Sequence, residues 1–150
     1  FSSEAFRLID TSLETVVRQP DNVEAMGRML LGSHMAGMAI ENSMLGATHA
    51  CANPLTARYG TVHGVAIALL LQHVVTFNGC EEYNRLHPAL PQRLNDLALA
   101  AGLPRRLRDI QVPEADIPHL AEAATRQWTG KFNPRPLDIP AAKEIYTCAW

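Results

Sequence analysis

"GATHACANPLTARYGTVHGVAIALLLQHVVTFNG", residues 46–79, is the stretch that decides the fold. It opens on small residues, turns at Tyr59-Gly60, and is then apolar nearly all round from Val65 to Val75. A run this evenly apolar, with no period-2 alternation, reads as a buried helix and not as a half-exposed strand. Thr61 is placed to cap that helix, which starts at about His63 and forms the centre of the domain. Two histidines, His49 and His63, flank the turn. Their separation is 63 − 49 = 14 residues, which along one continuous helix would be about 21 Å. Pro54 and the Tyr59-Gly60 turn, however, let the chain double back and bring the two imidazoles together. Such a pair is either part of a metal site or two buried structural histidines. No local C-x-x-C or H-x-x-x-H signature decides between them.

Working outward, Ser2 or Ser3 is expected to cap a helix whose apolar positions Phe6, Ile9, Leu13, Val16 and Val17 share one face and which ends before Pro20. Asp21 then caps a second helix containing Val23, Met26, Met29, Leu30 and Met38. In it Gly32, Ser33, Ala36, Gly37 and Ala39 make a small-residue surface that lets another backbone approach, and a bend follows near Gly46. Beyond Asn78, segments 80–86, 91–101, 104–110, 114–127 and 138–148 read as shorter helices broken by Pro88, Gly102, Pro113 and the loop "KFNPRPLDIP", residues 131–140. Without alternation, internal repeats or low-complexity tracts, the class is all-α.

The chain's 150 residues and 16.5 kDa suit one domain with a core of its own. A net charge of −2 with 13 dispersed Lys and Arg residues offers no phosphate-binding patch, so nucleic acid is excluded as a partner. Three widely spaced cysteines, Cys51, Cys80 and Cys148, read as reduced thiols of a cytoplasmic protein. The run Val65–Leu71 is far too short to span a bilayer, which excludes a membrane-spanning role.

"LGATHACANPLTARYGTVHGVAIALLLQHVVTFNG" resembles the signature region of the iron-containing (group III) alcohol dehydrogenases. That family's pattern is close to G-x-x-H-A-x-A-H-P-x-G-x-x-x-x-x-P-H-G, followed by an apolar helix ending in P-x-V-x-x-x-N. Gly46, His49, Ala50, Ala52, Pro54, His63, Gly64, Val74 and Asn78 match it. "SHMAGMAIENSMLG" is similar to the family's approach to the signature, and "FNPRPLDIPAAKEIYTCAW" to its closing loop and helix, so the resemblance covers essentially the whole chain.

The resemblance implies the family's multi-helical C-terminal domain, of the dehydroquinate synthase-like type, normally paired with an N-terminal α/β domain that binds NAD or NADP. It implies a divalent metal, Fe²⁺ or Zn²⁺, in the cleft between the two, where it polarises the oxygen of an alcohol or aldehyde substrate during hydride transfer. The family's ligands are one Asp and three His. His49 and His63 align with two of them; the other two belong to an Asp-x-x-x-His stretch expected before Phe1, with the nucleotide-binding domain. Where the family has a second, titratable His near the nicotinamide, this chain has Asn53, which hydrogen-bonds but carries no proton relay. Val62 and Gln72 replace two customary prolines. A cleft-lining face left exposed in these residues alone predicts self-association, and a homo-oligomer is expected.

Other candidates read as structural. His34 and His73 are expected as core or interface histidines, and His87 and His119 as loop residues beside prolines. Cys51, two residues after His49, points to a different helical face and is left out of the ligand set. Trp128 and Trp150 read as packing beneath the C-terminal helices. Two readings compete with a metal-dependent dehydrogenase: a metal-independent relative of maleylacetate reductase type, and a non-catalytic helical interaction module.

Overall fold

The computed structural model describes residues 1–150 and consists of eight α-helices, short 3₁₀ turns and connecting loops, with no strand. The helices are α1 (Ser2–Arg18), α2 (Val23–Glu41), α3 (Ala47–Tyr59), α4 (His63–Asn78), α5 (Glu82–Leu86), α6 (Leu90–Ala100), α7 (Ile117–Thr125) and α8 (Ile139–Ala149). The all-α reading holds, and the element order follows the sequence closely.

The helix starts differ from expectation in detail. Phe1, and neither Ser2 nor Ser3, stands at the N-cap of α1. For α2 the cap is Asn22, whose side chain accepts from the Ala25 amide at 3.0 Å, one residue beyond the expected Asp21. At α4 the N-cap is Val62, which has no capping side chain, and Thr61 lies outside the helix. A cap is chosen by the backbone angle at which the chain enters the helix, so a correct residue type one position away does not serve. Segment 104–110 narrows to a 3₁₀ turn at Leu107–Ile110, a second at Glu114–Asp116 leads into α7, and a third at Trp128–Phe132 reaches the start of the loop. Pro54 lies inside α3 without ending it. The reversal comes from Gly60, whose left-handed backbone (φ 63°, ψ 17°) a side chain would strain.

Helix α4 is the central element, packing on α3, α6 and α8 while α7 closes over α3 and α8. Its buried side, Ala66, Leu69, Leu70, Val74, Val75 and Phe77, meets Ala47, Ala50, Cys51, Ala52 and Leu55 of α3 among the buried residues. The Tyr146 hydroxyl of α8, fully enclosed, donates to the Cys51 carbonyl at 2.6 Å and so joins α8 to α3 through the core. On the rim, the Asp116 carboxylate accepts from the Tyr59 hydroxyl and from Arg58 Nε at 2.6 Å, fastening the end of α3 to the start of α7. Those two donors, Tyr59 ahead of Arg58, hold the Asp116 carboxyl below the usual carboxylate range.

The α1–α2 hairpin lies outside this core. Arg93 of α6 holds α1 to it, donating to Asp10 at 2.6 Å and Glu14 at 2.7 Å. Within the hairpin α2 approaches α1 at Gly32, where an added Cβ would stand 2.9 Å from Ile9 Cγ1 and 3.2 Å from the Ala5 carbonyl. The rest of the small-residue surface is open: at Gly37 an added Cβ meets nothing within 4 Å, and His34, read as a core or interface residue, is exposed.

The two glycines should therefore respond oppositely to the same substitution. Gly37→Ala gains helix propensity without a clash and should stabilise by about 0.5–1 kcal/mol. Gly32→Ala must push α1 away and should destabilise by about 1–3 kcal/mol. Urea unfolding midpoints of the two variants against the parent check both signs; a Gly32→Ala midpoint at or above the parent's contradicts the close-packed hairpin.

Candidate metal centre

On α3, positions 49, 53 and 56 follow one another at four and three residues and share a helical stripe. His49, Asn53 and Thr56 are all half-buried there, while the intervening Ala50, Cys51, Ala52, Pro54 and Leu55 face inward. His63, the first residue of α4, is exposed. The reversal at Gly60 returns it to this stripe. The His49 and His63 ring centroids are 5.4 Å apart, with planes tilted by 47°.

Two imidazoles that share one ion at metal–nitrogen distances of about 2.0–2.1 Å in a tetrahedral arrangement have ring centres about 5 Å apart. The observed centroid separation is close to that value. Thr56 Oγ1 lies 3.4 Å from His63 Nδ1. With the ring proton on Nδ1 the imidazole donates to Thr56, which leaves the Nε2 lone pair free and fixes the ring's orientation. His49 is held below its ordinary pKa of 6.5, first by burial and second by the nearby His63, which favours the neutral form that binds metal.

The donor set is a partial one. No group of three or more His, Cys, Asp or Glu residues in the chain could hold an ion. Cys51 is enclosed, and burial pushes its thiol up to about 12, so it offers no thiolate. His119 lies within α7, not in a loop, and is exposed; His87 ends α5 and accepts the Ala89 amide at Nδ1, 3.1 Å. His73, half-buried on α4, has its pKa lowered by burial.

Asn53 donates from Nδ2 to Gln127 Oε1 at 3.0 Å, which ties the stripe to the turn at Trp128–Phe132. Trp150 packs on the core, donating Nε1 to the Val112 carbonyl at 2.9 Å, but Trp128 does not: it is 57% exposed, edge-on to the equally open Phe132. The expectation that both tryptophans pack beneath the C-terminal helices is corrected for Trp128, because the 3₁₀ turn carries it outward at the edge of α3. Val62, next to His63, is also exposed. Thr56 was legible in the sequence as the position seven residues after His49. Gln127 was not, since nothing local marks a residue 74 positions from its partner.

The sequence matches the model of the Fe-containing alcohol dehydrogenase family, C-terminal part, over residues 1–150. The chain belongs to that family. Among curated relatives it is similar to 1,3-propanediol dehydrogenase of Klebsiella pneumoniae, 35% identical over 88% of this chain and 39% of the relative. Lactaldehyde reductase of Escherichia coli strain K12 is 34% identical over 85% of this chain and 38% of its own length. The chain thus spans about two fifths of these relatives. A crystal structure of 1,3-propanediol oxidoreductase superposes with a TM-score of 0.90 and 31% identity, covering 99% of this chain and 44% of that one. The helices found here are therefore a recurrent arrangement in the iron-containing alcohol dehydrogenase family.

The lowered pKa of His49 has a consequence for the metal-free protein. As pH falls through 6.5, the unfolded chain takes up this proton first, so stability should decline from there toward the lower folded-state value; above 6.5 this group contributes no slope. His49→Gln should flatten part of the decline, the remainder belonging to groups such as His73. Unfolding free energies measured from about pH 8 to about pH 5 on both proteins test it. An unchanged slope in His49→Gln would mean that burial does not disfavour the imidazolium.

Proposed function

We propose that this chain is the helical, metal-binding C-terminal domain of an NAD(P)-linked alcohol dehydrogenase. The observation that carries the reading is the 5.4 Å approach of two imidazoles from consecutive helices, within a chain that matches the family over its whole length. His49 and His63 would hold one divalent ion, Fe²⁺ or Zn²⁺, since imidazole suits both. An Asp-x-x-x-His stretch outside these residues would supply the other two ligands, and an N-terminal α/β domain would bind NAD or NADP. When bound, the metal would supply Lewis acidity toward a substrate hydroxyl or carbonyl, and the nicotinamide would supply the hydride chemistry.

The chain's own residues contribute binding and orientation. His49, kept neutral by burial, is ready to ligate without first losing a proton. Thr56, 3.4 Å from His63 Nδ1, would orient that ring when the proton is on Nδ1. Asn53, its amide engaged by Gln127, would be a fixed hydrogen-bonding group facing the cofactor or substrate, and it cannot titrate. The names of the relatives carry three-carbon substrates, and the reading takes a small primary alcohol, diol or the corresponding aldehyde. No helix is long and apolar enough to cross a membrane, and the proposed setting is cytoplasmic. Exposed Val62, Trp128 and Phe132 supply apolar surface for assembly, either with the partner domain or between copies in a homo-oligomer.

The test compares two proteins. The full-length chain should reduce NAD(P) with a small alcohol in a metal-dependent manner, whereas residues 1–150 alone should show no turnover. His49→Ala or His63→Ala in the full-length protein should cost more than the about 10–100-fold typical of outer-shell changes at metal sites. Turnover by residues 1–150 alone refutes the two-domain reading, and a full-length enzyme indifferent to both substitutions refutes the ligand assignment.

A further inference from the structure

The start of α3 lacks a capping side chain of its own, because its N-cap is Gly46. The group that satisfies it comes from 86 residues away: Asn133 Oδ1 accepts the Ala47 amide at 3.2 Å. The same amide side chain reaches the last residue of α4. Asn133 Nδ2 donates to Asn78 Oδ1 at 2.7 Å, and Asn78 Nδ2 donates back to Asn133 Oδ1 at 3.2 Å. Asn133 Nδ2 also donates to the Arg135 carbonyl at 2.7 Å. Arg135 in turn donates to the Phe77 carbonyl at 2.8 Å and lies over the Phe77 ring at 3.9 Å. Gly46 makes room for this arrangement, for a Cβ there would stand 3.1 Å from Asn133 Oδ1.

The mechanical sense lies in which ends are joined. The Gly60–Val62 turn connects the end of α3 to the start of α4, where His63 stands. Asn133 joins the opposite ends, the start of α3 and the end of α4, and His49 sits in the first turn of α3 just beyond the clasped amide. Two helices fixed at both ends have a fixed separation. The bonds from Tyr146 to the Cys51 carbonyl and from Asn53 to Gln127 tie this part of α3 to α8 and the Trp128–Phe132 turn; directly to α4, the start of α3 is otherwise held by apolar packing, which is not directional.

We infer that Asn133 is a positioning residue for the metal pair: its clasp between Ala47 and Asn78 sets the distance between the imidazoles of His49 and His63. This rests on the metal-binding reading of the pair. A misplaced ligand costs affinity even in a folded protein, because the ion demands a definite geometry.

The experiment measures Zn²⁺ affinity of the full-length protein by competition with a chromophoric chelator, with thermal midpoint and far-UV circular dichroism recorded in parallel. Asn133→Ala should lose about tenfold or more in affinity under conditions where its helical signal is intact. Asn133→Asp keeps the acceptor for the Ala47 amide but loses the donor to Asn78 and the Arg135 carbonyl, so it should recover only part of that loss. A purely structural role would lower the midpoint of Asn133→Ala and leave the affinity of the folded protein within twofold of the parent, which overturns the inference. Should Asn133→Ala fail to fold, Gly46→Ala displaces the clasp with all its side chains present. It should weaken Zn²⁺ binding, and unchanged affinity overturns the proposal. His49→Ala is the separate control: if it leaves Zn²⁺ affinity unchanged, the metal reading itself has failed; if it abolishes binding while Asn133 and Gly46 variants bind normally, only the clasp has.

Discussion

Everything at the site depends on how closely α3 and α4 can approach. Ala47, Ala50 and Ala52 on one helix and Ala66 on the other have no accessible surface, and side chains this small bring backbones together without leaving voids. The larger Leu55, Leu69 and Leu70 fill the remaining space, and truncating one such residue typically costs about 2–5 kcal/mol. That close approach is what makes one reversal at Gly60 sufficient. A looser pair would leave His63 beside Thr56 but out of reach of His49. Packing therefore precedes chemistry in this domain: the apolar interface of α3 and α4 brings the polar stripe and His63 together, and the Asn133 clasp trims their final spacing.

The sequence made the architecture legible where a local pattern carried the physical cause. The evenly apolar run after Val65 identified α4, and the Tyr59-Gly60 turn marked the reversal, although Pro54, read as helping it, lies inside α3. The histidine pair was visible as two residues in the right register around a turn, and the family resemblance gave that register a meaning. What stayed hidden was non-local. Gln127 and Asn133 reach their partners across 74 and 86 residues, and nothing in the sequence around either residue says which helix it will meet. The caps failed for a related reason: Asp21 and Thr61 are good capping types, but the backbone enters the helix one residue later.

The α1–α2 hairpin shows a different limit. The sequence showed a small-residue surface on α2 open to another backbone, but of it only Gly32 is buried, against α1: Val23, Leu30, Leu31 and Ile40 are exposed, and only a narrow line through Ala25 and Gly32 is enclosed. Helical periodicity reports which residues share a face. It does not report whether anything lies opposite that face. The hairpin's hold on the core is correspondingly polar, through Arg93 to Asp10 and Glu14, and is a contact that salt weakens more than it weakens the interior.

The bond from Tyr146 to the Cys51 carbonyl places a thiol at a point no reagent reaches in the closed state. Cys148, two residues after Tyr146 on α8, stands exposed. The chain thus carries two clocks on neighbouring elements. Modification of Cys148 proceeds at the reagent's own rate, while Cys51 reacts only when α3 and α8 separate, so its rate reports the frequency of that opening. The core keeps a record of its own breathing, written in the slow thiol and calibrated by the fast one.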